Sequence, residues 1–186
     1  IKVLGAEVRL IGKNQDEAQV EADRLSIEEG MTYISPFDNV DVIAGQGTLG
    51  LEIHRQAPEL KYAFVPLSGG GLICGVAKAL KGLNPNLRMI GVSMDRGAAM
   101  YESQKAGKPI FVKEEESLAD ALTGGIGLDN EYTFDLTKEL VDDIVLVSEK
   151  EIAEGISHAY WHESQIVERA GAVSIASHLN LSLIHI

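Results

Sequence analysis

A glycine-rich segment, residues 68–72 with the sequence SGGGL, is the part of the chain whose residue types indicate a definite chemistry. It lies between a strand-like apolar segment at residues 62–67 and a helix-like segment at residues 72–83. Glycine allows consecutive backbone N–H groups to turn toward one point, and a helix start adds unpaired N–H groups and a positive dipole end. The segment therefore predicts a loop that binds a phosphate. A turn without a ligand is the alternative, but consecutive glycines cost conformational entropy that a turn alone does not require.

The residues that follow this loop narrow the kind of phosphate. A nucleoside-triphosphate loop needs Gly-Lys-Ser or Gly-Lys-Thr after its spacer, whereas Gly70 leads here to Gly75-Val76-Ala77. The loop thus offers no lysine for terminal phosphates and no hydroxyl for magnesium. The glycine spacing of dinucleotide-binding loops also fails within this segment. A single terminal phosphate on a compact cofactor fits best.

A second glycine pattern, residues 45–50 (GQGTLG), does match the dinucleotide spacing. Its context does not support a nicotinamide or flavin site, because the apolar stretch before it, residues 42–44, is too short for the required strand. The next strand also ends at Pro66-Leu67 and not at an acidic residue that could bind a ribose. We predict that these small residues serve close packing between helices.

Length and composition indicate a globular chain. Its 186 residues, 45% of them hydrophobic, suffice for one domain or for one domain and part of another. No apolar run approaches the length that spans a bilayer and no basic-then-apolar leader opens the chain, so we expect a cytoplasmic protein without a membrane partner. The net charge of -12 and the scattered basic residues argue against nucleic acid as a partner.

Other residues with chemical potential are better explained by structure. Acidic clusters at residues 114–116 and 142–143 are typical of a solvated surface. His158 and His162 are one helical turn apart but lack an assignable third ligand, so we predict no metal site. The single cysteine, Cys74, lies in an apolar helical run, which is typical of a small buried side chain and not of a nucleophile.

Hydrophobic periodicity predicts an α/β chain. Asn14 is placed to cap a helix that reaches Glu29 and stops at Gly30. The other predicted elements are strands at residues 6–11, 31–34, 62–67, 88–93 and 144–147 and helices at residues 42–56, 72–83, 98–105, 131–141 and 149–163. Such alternation implies a mostly parallel sheet with flanking helices and with ligands at the carboxyl ends of the strands.

Two motifs together carry a family resemblance. Residues 65–73 (VPLSGGGLI) resemble the phosphate loop of the fold-type-II pyridoxal-phosphate enzymes, and residues 41–53 (DVIAGQGTLGLEI) resemble the preceding segment of threonine and serine dehydratases. Similarity extends over about the whole chain except residues 181–186, which look like a non-native tail. The combination is most similar to the hydroxyectoine-utilisation branch of threonine-dehydratase-like proteins.

The resemblance implies a tryptophan-synthase-beta-like fold, pyridoxal 5'-phosphate as cofactor and a homodimer. It places residues 1–40 in a small domain and residues 41–180 in a large cofactor-binding domain, both incomplete. It implies a dehydratase or ammonia-lyase that converts L-threonine, L-serine or a related hydroxy amino acid to a 2-oxo acid and ammonia. The residues expected at the cofactor are five of the loop and one glutamate: Ser68, Gly69, Gly70, Gly71, Leu72 and Glu168.

Several departures from the family pattern accompany this resemblance. The family's catalytic lysine lies in a Ser-Phe-Lys-like segment that would precede this chain, so we expect an internal fragment that is inactive by itself. Relatives with a divalent-cation site use a Glu-Pro pair and a later aspartate, where this chain has residues 93–94 (Ser-Met) and Ala99. Ser68 and Ala121 each stand where glycine is usual, and Glu168 is equally typical of an ordinary helix start.

Two other functions remain open at this point. An amino-acid racemase or a β-replacement enzyme of the same fold would share the phosphate loop. A non-catalytic module that binds a phosphate-bearing ligand would also require the same glycines.

Overall fold

The computed structural model describes residues 2–181. The chain divides into two compact units between Ile34 and Ser35. The assignment of residues 1–40 and 41–180 to a small and a large domain of a longer protein stays a prediction.

The expected non-native tail, residues 181–186, lies outside the described residues apart from Leu181, the last residue of a helix. Among the helices that are described, none combines the length and the apolar character that crossing a membrane requires.

The first unit is built around helix α1, Gln15–Glu29, which a short 3-10 helix, Lys2–Leu4, precedes. The Asn14 side chain caps α1 by accepting a hydrogen bond from the Glu17 N–H group. Gly30, with a φ of 66°, ends the helix in the left-handed conformation that glycine adopts without strain. Both predicted boundaries of this helix are confirmed.

The two strands predicted in this unit, residues 6–11 and 31–34, are wrong. Both segments are irregular, and large apolar side chains in them, such as Leu10 and Ile34, are exposed. An alternating pattern becomes a strand only where a neighbouring strand pairs with its N–H and C=O groups. The described sheet contains three strands, and all of them belong to the second unit.

The second unit alternates strands and helices as the sequence predicts. Its elements are helix α2 (Val40–Gln56), strand β1 (Tyr62–Pro66), helix α3 (Gly71–Leu83), strand β2 (Arg88–Met94), helix α4 (Ala99–Ala106), a 3-10 helix (Asp120–Leu122), helix α5 (Thr133–Leu140), strand β3 (Asp143–Val147), helix α6 (Glu149–Trp161) and helix α7 (Ala172–Leu181). The predicted ranges agree with these bounds to within about two residues. Helix α7 was not predicted from the sequence.

The sheet is parallel throughout, with strand order β1-β2-β3. Residue pairs such as Val65–Gly91 and Gly91–Ile144 fix its register. In a parallel sheet all carboxyl ends lie at one edge, so the segments that follow β1, β2 and β3 leave the sheet on the same side. The α/β fold class with a parallel sheet and flanking helices is thereby confirmed.

Helices cover both faces of this sheet. One core cluster joins Ala63 and Val65 of β1 to apolar residues of α3, and a second joins Phe64, which points to the opposite face, to residues of α6 and α7. The central strand β2 is buried along almost its whole length, as expected for a parallel strand between two helical layers.

Helix α2 approaches α3 more closely than side chains would permit. A Cβ on Gly75 would lie 2.7 Å from the backbone nitrogen of Gly47 and would also meet the carbonyl oxygen of Ile43. A Cβ on Gly50 would lie 2.8 Å from the carbonyl oxygen of Val76. The prediction that the second glycine pattern serves helix packing is confirmed for Gly50, whereas a Cβ on Gly47 would make only an ordinary contact and one on Gly45 would meet nothing within 4 Å.

We predict that Gly75→Ala lowers the free energy of unfolding by about 1–3 kcal/mol, because the added methyl group forces α2 away from α3. Gly82→Ala is the matched control, since it adds the same group to the same helix at a position with nothing within 4 Å. We expect the control to be neutral or stabilising by up to about 1 kcal/mol. Urea unfolding measures both values, and equal stabilities for the two variants would contradict the close packing.

Candidate phosphate-binding site

The glycine loop follows the carboxyl end of β1. The Leu67 N–H group still donates a 2.7 Å hydrogen bond to the carbonyl oxygen of Val92, so the chain leaves the sheet only after this residue. Gly70 then adopts a φ of 94° and becomes the N-cap of α3, with its carbonyl oxygen accepting a 2.9 Å bond from the Cys74 N–H group. A positive φ at this turn is available to glycine at little cost. The predicted order of strand, loop and helix start is confirmed.

The N–H groups of residues 68–73 donate no hydrogen bond to any part of the chain that the structure describes. Gly69, Gly70 and Gly71 are nevertheless buried. Buried backbone N–H groups are almost always paired, and the first N–H groups of a helix are satisfied by a cap, by water or by a ligand. The loop therefore has the donors and the dipole that suit a phosphate, and its residues fit such a group.

The space around the loop admits no side chain on its glycines. A Cβ on Gly69 would lie 2.6 Å from Cδ2 of the Phe37 ring, and a Cβ on Gly71 would lie 2.8 Å from the Cα atom of Phe37. A Cβ on Gly70 would lie 2.9 Å from Cβ of Thr133 and 3.1 Å from Cε of Met100. The glycines are thus required by the walls of the loop as well as by its conformation.

Asp38 fixes the residue that forms one of these walls. Its carboxylate accepts hydrogen bonds of 2.7, 3.0 and 2.8 Å from the N–H groups of Glu131, Tyr132 and Thr133. These groups lie at the start of α5, where a helix N-terminus favours a negative charge. From the sequence, Pro36 to Asn39 were predicted only to break the pattern between two elements. The Phe37-Asp38 pair belongs to no periodic pattern, so its position beside the loop could not be predicted.

A second segment is anchored at the same edge of the sheet. Glu149, the first residue of α6, accepts hydrogen bonds of 2.7 Å from the Ser117 hydroxyl group and 2.8 Å from the Leu118 N–H group. Burial by itself would raise the pKa of the Glu149 carboxyl group, but these bonds and the charge of Arg96 outweigh it and hold that pKa below its usual value. Residues 117–119 are therefore brought beside the start of α6, where β3 ends.

Glu168 lies just before α7 and is exposed. Its carboxylate accepts a 2.9 Å bond from the Ala170 N–H group and a 3.3 Å bond from the Gly171 N–H group. The neighbouring Arg169 forms a 2.7 Å ion pair with Asp120, which links this segment to the one that follows residue 117. These bonds are those of a helix-start carboxylate, and a contact of Glu168 with the cofactor stays a prediction.

The lysines nearest to the loop in sequence have other partners. Lys78 forms a 3.5 Å ion pair with Glu139, and Lys81 forms a 2.7 Å ion pair with Asp142. At a rise of about 1.5 Å per residue, Lys78 lies roughly 10 Å along α3 from its first residue. Lys61 precedes β1, at the opposite edge of the sheet from the loop. None of these three lysines therefore lies at the glycine loop.

Cys74 is buried, as predicted, and makes contacts of 3.7 Å with the Thr133 carbonyl oxygen and 3.5 Å with the Thr137 hydroxyl group. Burial raises the pKa of its thiol to about 11, so the thiol stays protonated near neutral pH and is a poor nucleophile. Within residues 2–181 no group of three metal-ligating side chains comes together. The rings of His158 and His162 stack at 4.7 Å.

The residues at the family's cation position carry no carboxylate. Ser93, Met94 and Ala99 are all buried, with exposed fractions of 3%, 0% and 6%. Their side chains are small or apolar, which does not match the hard oxygen ligands that divalent cations prefer.

Comparison with known proteins agrees with this geometry. The chain is 57% identical over 180 residues to a Sinorhizobium fredii protein that carries the provisional name threonine dehydratase, covering 97% of this chain and 54% of that protein. Its structure is similar to the processed form of threonine deaminase isoform 2 from Solanum lycopersicum, with a TM-score of 0.85, 42% identity, and coverage of 94% of this chain and 48% of that chain. Maize serine racemase is also similar, with a TM-score of 0.87, 32% identity, and coverage of 96% and 55%.

The chain spans about half the length of the curated relatives that it matches. The sequence pattern of the family described as "Pyridoxal-phosphate dependent enzyme" matches residues 1–183, which is almost the whole chain. The chain with this strand, glycine loop and helix start thus belongs to the family of pyridoxal-phosphate dependent enzymes.

Proposed function

We propose that the full-length protein is a pyridoxal-phosphate-dependent ammonia-lyase that converts L-threonine or L-serine to a 2-oxo acid and ammonia. The observation that carries this proposal is the row of N–H groups at residues 68–73, at the start of α3, that donate no hydrogen bond to the described part of the chain. Similarity to a threonine deaminase structure at 42% identity supports the choice of substrate class.

In this proposal the chain holds the phosphate of the cofactor. The N–H groups of residues 68–72 and the positive end of the α3 dipole bind the phosphate oxygens, and the Ser68 hydroxyl group adds a donor. When bound, pyridoxal phosphate supplies an electron sink that stabilises negative charge at the substrate α-carbon. Residues 117–119 are held by Glu149 at the same edge of the sheet. Glu168 is a candidate for a contact with the cofactor.

The catalytic lysine is proposed to lie outside this chain. In this interpretation the chain contributes the anion site and part of the large domain, and the rest of the longer protein completes the active site. A cytoplasmic homodimer is the expected form of that protein.

Racemisation of the same substrates is the second candidate function, favoured by the structural similarity to maize serine racemase. Some related dehydratases and racemases have a divalent-cation site. The buried Ser93, Met94 and Ala99 argue against such a site here, because none of them carries a carboxylate. We predict that full-length protein releases 2-oxobutanoate from L-threonine faster than it forms the D-enantiomer. Chiral chromatography and a coupled 2-oxo acid assay measure the two products, and faster formation of the D-amino acid would make the racemase the better assignment. A protein that binds the cofactor and forms neither product would be a binding module.

We predict that Gly70→Asp abolishes binding of pyridoxal phosphate by the full-length protein. A Cβ on Gly70 would lie 2.9 Å from Cβ of Thr133, and the φ of 94° is unfavourable for any residue but glycine, so the substitution distorts the loop and also adds a negative charge beside the anion site. Ser68→Ala is the control, because it removes only the hydroxyl group and leaves the loop N–H groups in place. We expect Ser68→Ala to lower the affinity for pyridoxal phosphate by up to about tenfold. Absorbance titration measures both affinities, and unchanged affinity in Gly70→Asp would place the phosphate elsewhere.

We also predict that this chain alone, mixed with pyridoxal phosphate and reduced with borohydride, shows no lysine modified at stoichiometric level. Lys78 and Lys81 lie beyond the first turn of α3 and each forms an ion pair with a carboxylate, so neither amine is held at the glycine loop where it could attack the cofactor aldehyde. Peptide mapping by mass spectrometry locates any label, and a 2-oxo acid assay runs in parallel. One fully labelled lysine together with turnover of threonine would show that the catalytic lysine lies within this chain.

A further inference from the structure

We propose that Asp38 is a positioning residue that sets the phosphate loop by holding both of its walls, Phe37 on one side and Thr133 on the other. This inference rests on the proposed function, since it concerns the binding of the cofactor phosphate. Within the described residues Asp38 forms no hydrogen bond with the loop, and in this proposal it does not bind the phosphate. It acts through the two residues that do limit the loop.

The first wall is the Phe37 residue next to Asp38. The Phe37 ring fills the place of a side chain on Gly69, and the Phe37 backbone lies against Gly71, where a Cβ would be 2.9 Å from the Phe37 carbonyl oxygen. The Ser35 hydroxyl oxygen accepts a 3.0 Å bond from the Asp38 N–H group, which tightens the turn that carries both residues. A displacement of Asp38 therefore displaces Phe37.

The second wall is the start of α5. The Thr133 side chain is buried and lies against Gly70, and the Thr133 N–H group donates a 2.8 Å bond to the Asp38 carboxylate. Thr137, one turn later, comes next to the same glycine, with its hydroxyl oxygen 3.2 Å from the place of a Cβ. One carboxylate thus links the wall behind Gly69 and Gly71 to the wall behind Gly70.

The loop has little rigidity of its own. Consecutive glycines can adopt many backbone conformations, so an unbraced loop would lose entropy on ordering around a phosphate. Packing on two fixed walls removes most of these conformations before the ligand arrives, and such preorganisation strengthens binding. The carboxylate at α5 is well suited to this role, because its three charged hydrogen bonds are stronger than neutral ones and satisfy N–H groups at a helix start.

The test compares Asp38→Ala with Asp41→Ala in the full-length protein. Asp41 is an exposed aspartate in the first turn of α2 whose carboxylate has no partner among the described residues, so the control removes the same charge nearby without loosening the walls. Each variant is titrated with pyridoxal phosphate and with pyridoxal, which lacks the phosphate.

We expect Asp38→Ala to lower the affinity for pyridoxal phosphate by about tenfold or more, which corresponds to about 1.4 kcal/mol. The affinity for pyridoxal should change by no more than about twofold. The control should leave both affinities unchanged. Equal losses for both ligands would indicate a general structural role and overturn the proposal, as would an unchanged affinity for pyridoxal phosphate.

A double-mutant cycle keeps the proposal testable if Asp38→Ala folds poorly. Gly69→Ala should strongly weaken the binding of pyridoxal phosphate, because the added methyl group meets the Phe37 ring. In a Phe37→Ala background that collision is absent, so the same substitution should cost less. Additive losses would mean that Phe37 does not shape the loop.

Failure of the proposed function has a different signature. A wild-type protein that binds neither ligand would refute the proposed function. Amide hydrogen exchange at residues 68–73 would then test, without any ligand, whether Asp38 positions the loop. Faster exchange in Asp38→Ala than in Asp41→Ala supports the positioning role, and equal exchange overturns it.

Discussion

Close approach of backbone to backbone around helix α3 is the constraint on which the second unit depends. Gly71 lies against the Phe37 backbone and Gly75 lies against the backbone of α2, at distances where a methyl group would not fit. On the sheet below, a Cβ on Gly91 of β2 would lie 2.9 Å from Cδ2 of Leu67. Helix α3 can therefore begin directly above the end of β1, and its unbonded N–H groups are fixed where β1 ends.

This arrangement explains how an acidic chain can hold an anion. The net charge of -12 repels anions at long range, but salt screens exposed charges beyond about 8 Å. Backbone N–H groups at a helix start act at hydrogen-bond distance and carry no net charge that surface carboxylates would neutralise. Asp38 follows Phe37, which lies against the loop, and its carboxylate accepts hydrogen bonds from three N–H groups at the start of α5. Its charge is thus compensated locally.

Elements whose signal is local could be predicted from the sequence. Asn14 and Gly30 mark the ends of α1, and the glycines at residues 69–71 mark the join of β1 and α3 because backbone conformation requires them. Strands depend on partners far away in sequence, which is why the strand predictions for residues 6–11 and 31–34 were wrong. The walls of the loop were missed for the same reason: Asp38 and Thr133 are 95 residues apart, and nothing in either local sequence indicates the other.

The two segments at the carboxyl edge of the sheet are anchored independently. The glycine loop packs against α4, α5 and the Phe37 turn, whereas residues 117–119 depend on Glu149 at the start of α6. Replacements around the second segment can therefore accumulate without disturbing the first. An evolving lineage could keep the glycine loop and alter the neighbouring surface, which is consistent with the similarity of this scaffold to both a threonine deaminase and a serine racemase. Separate anchoring would thus let one segment stay constant while the other changes.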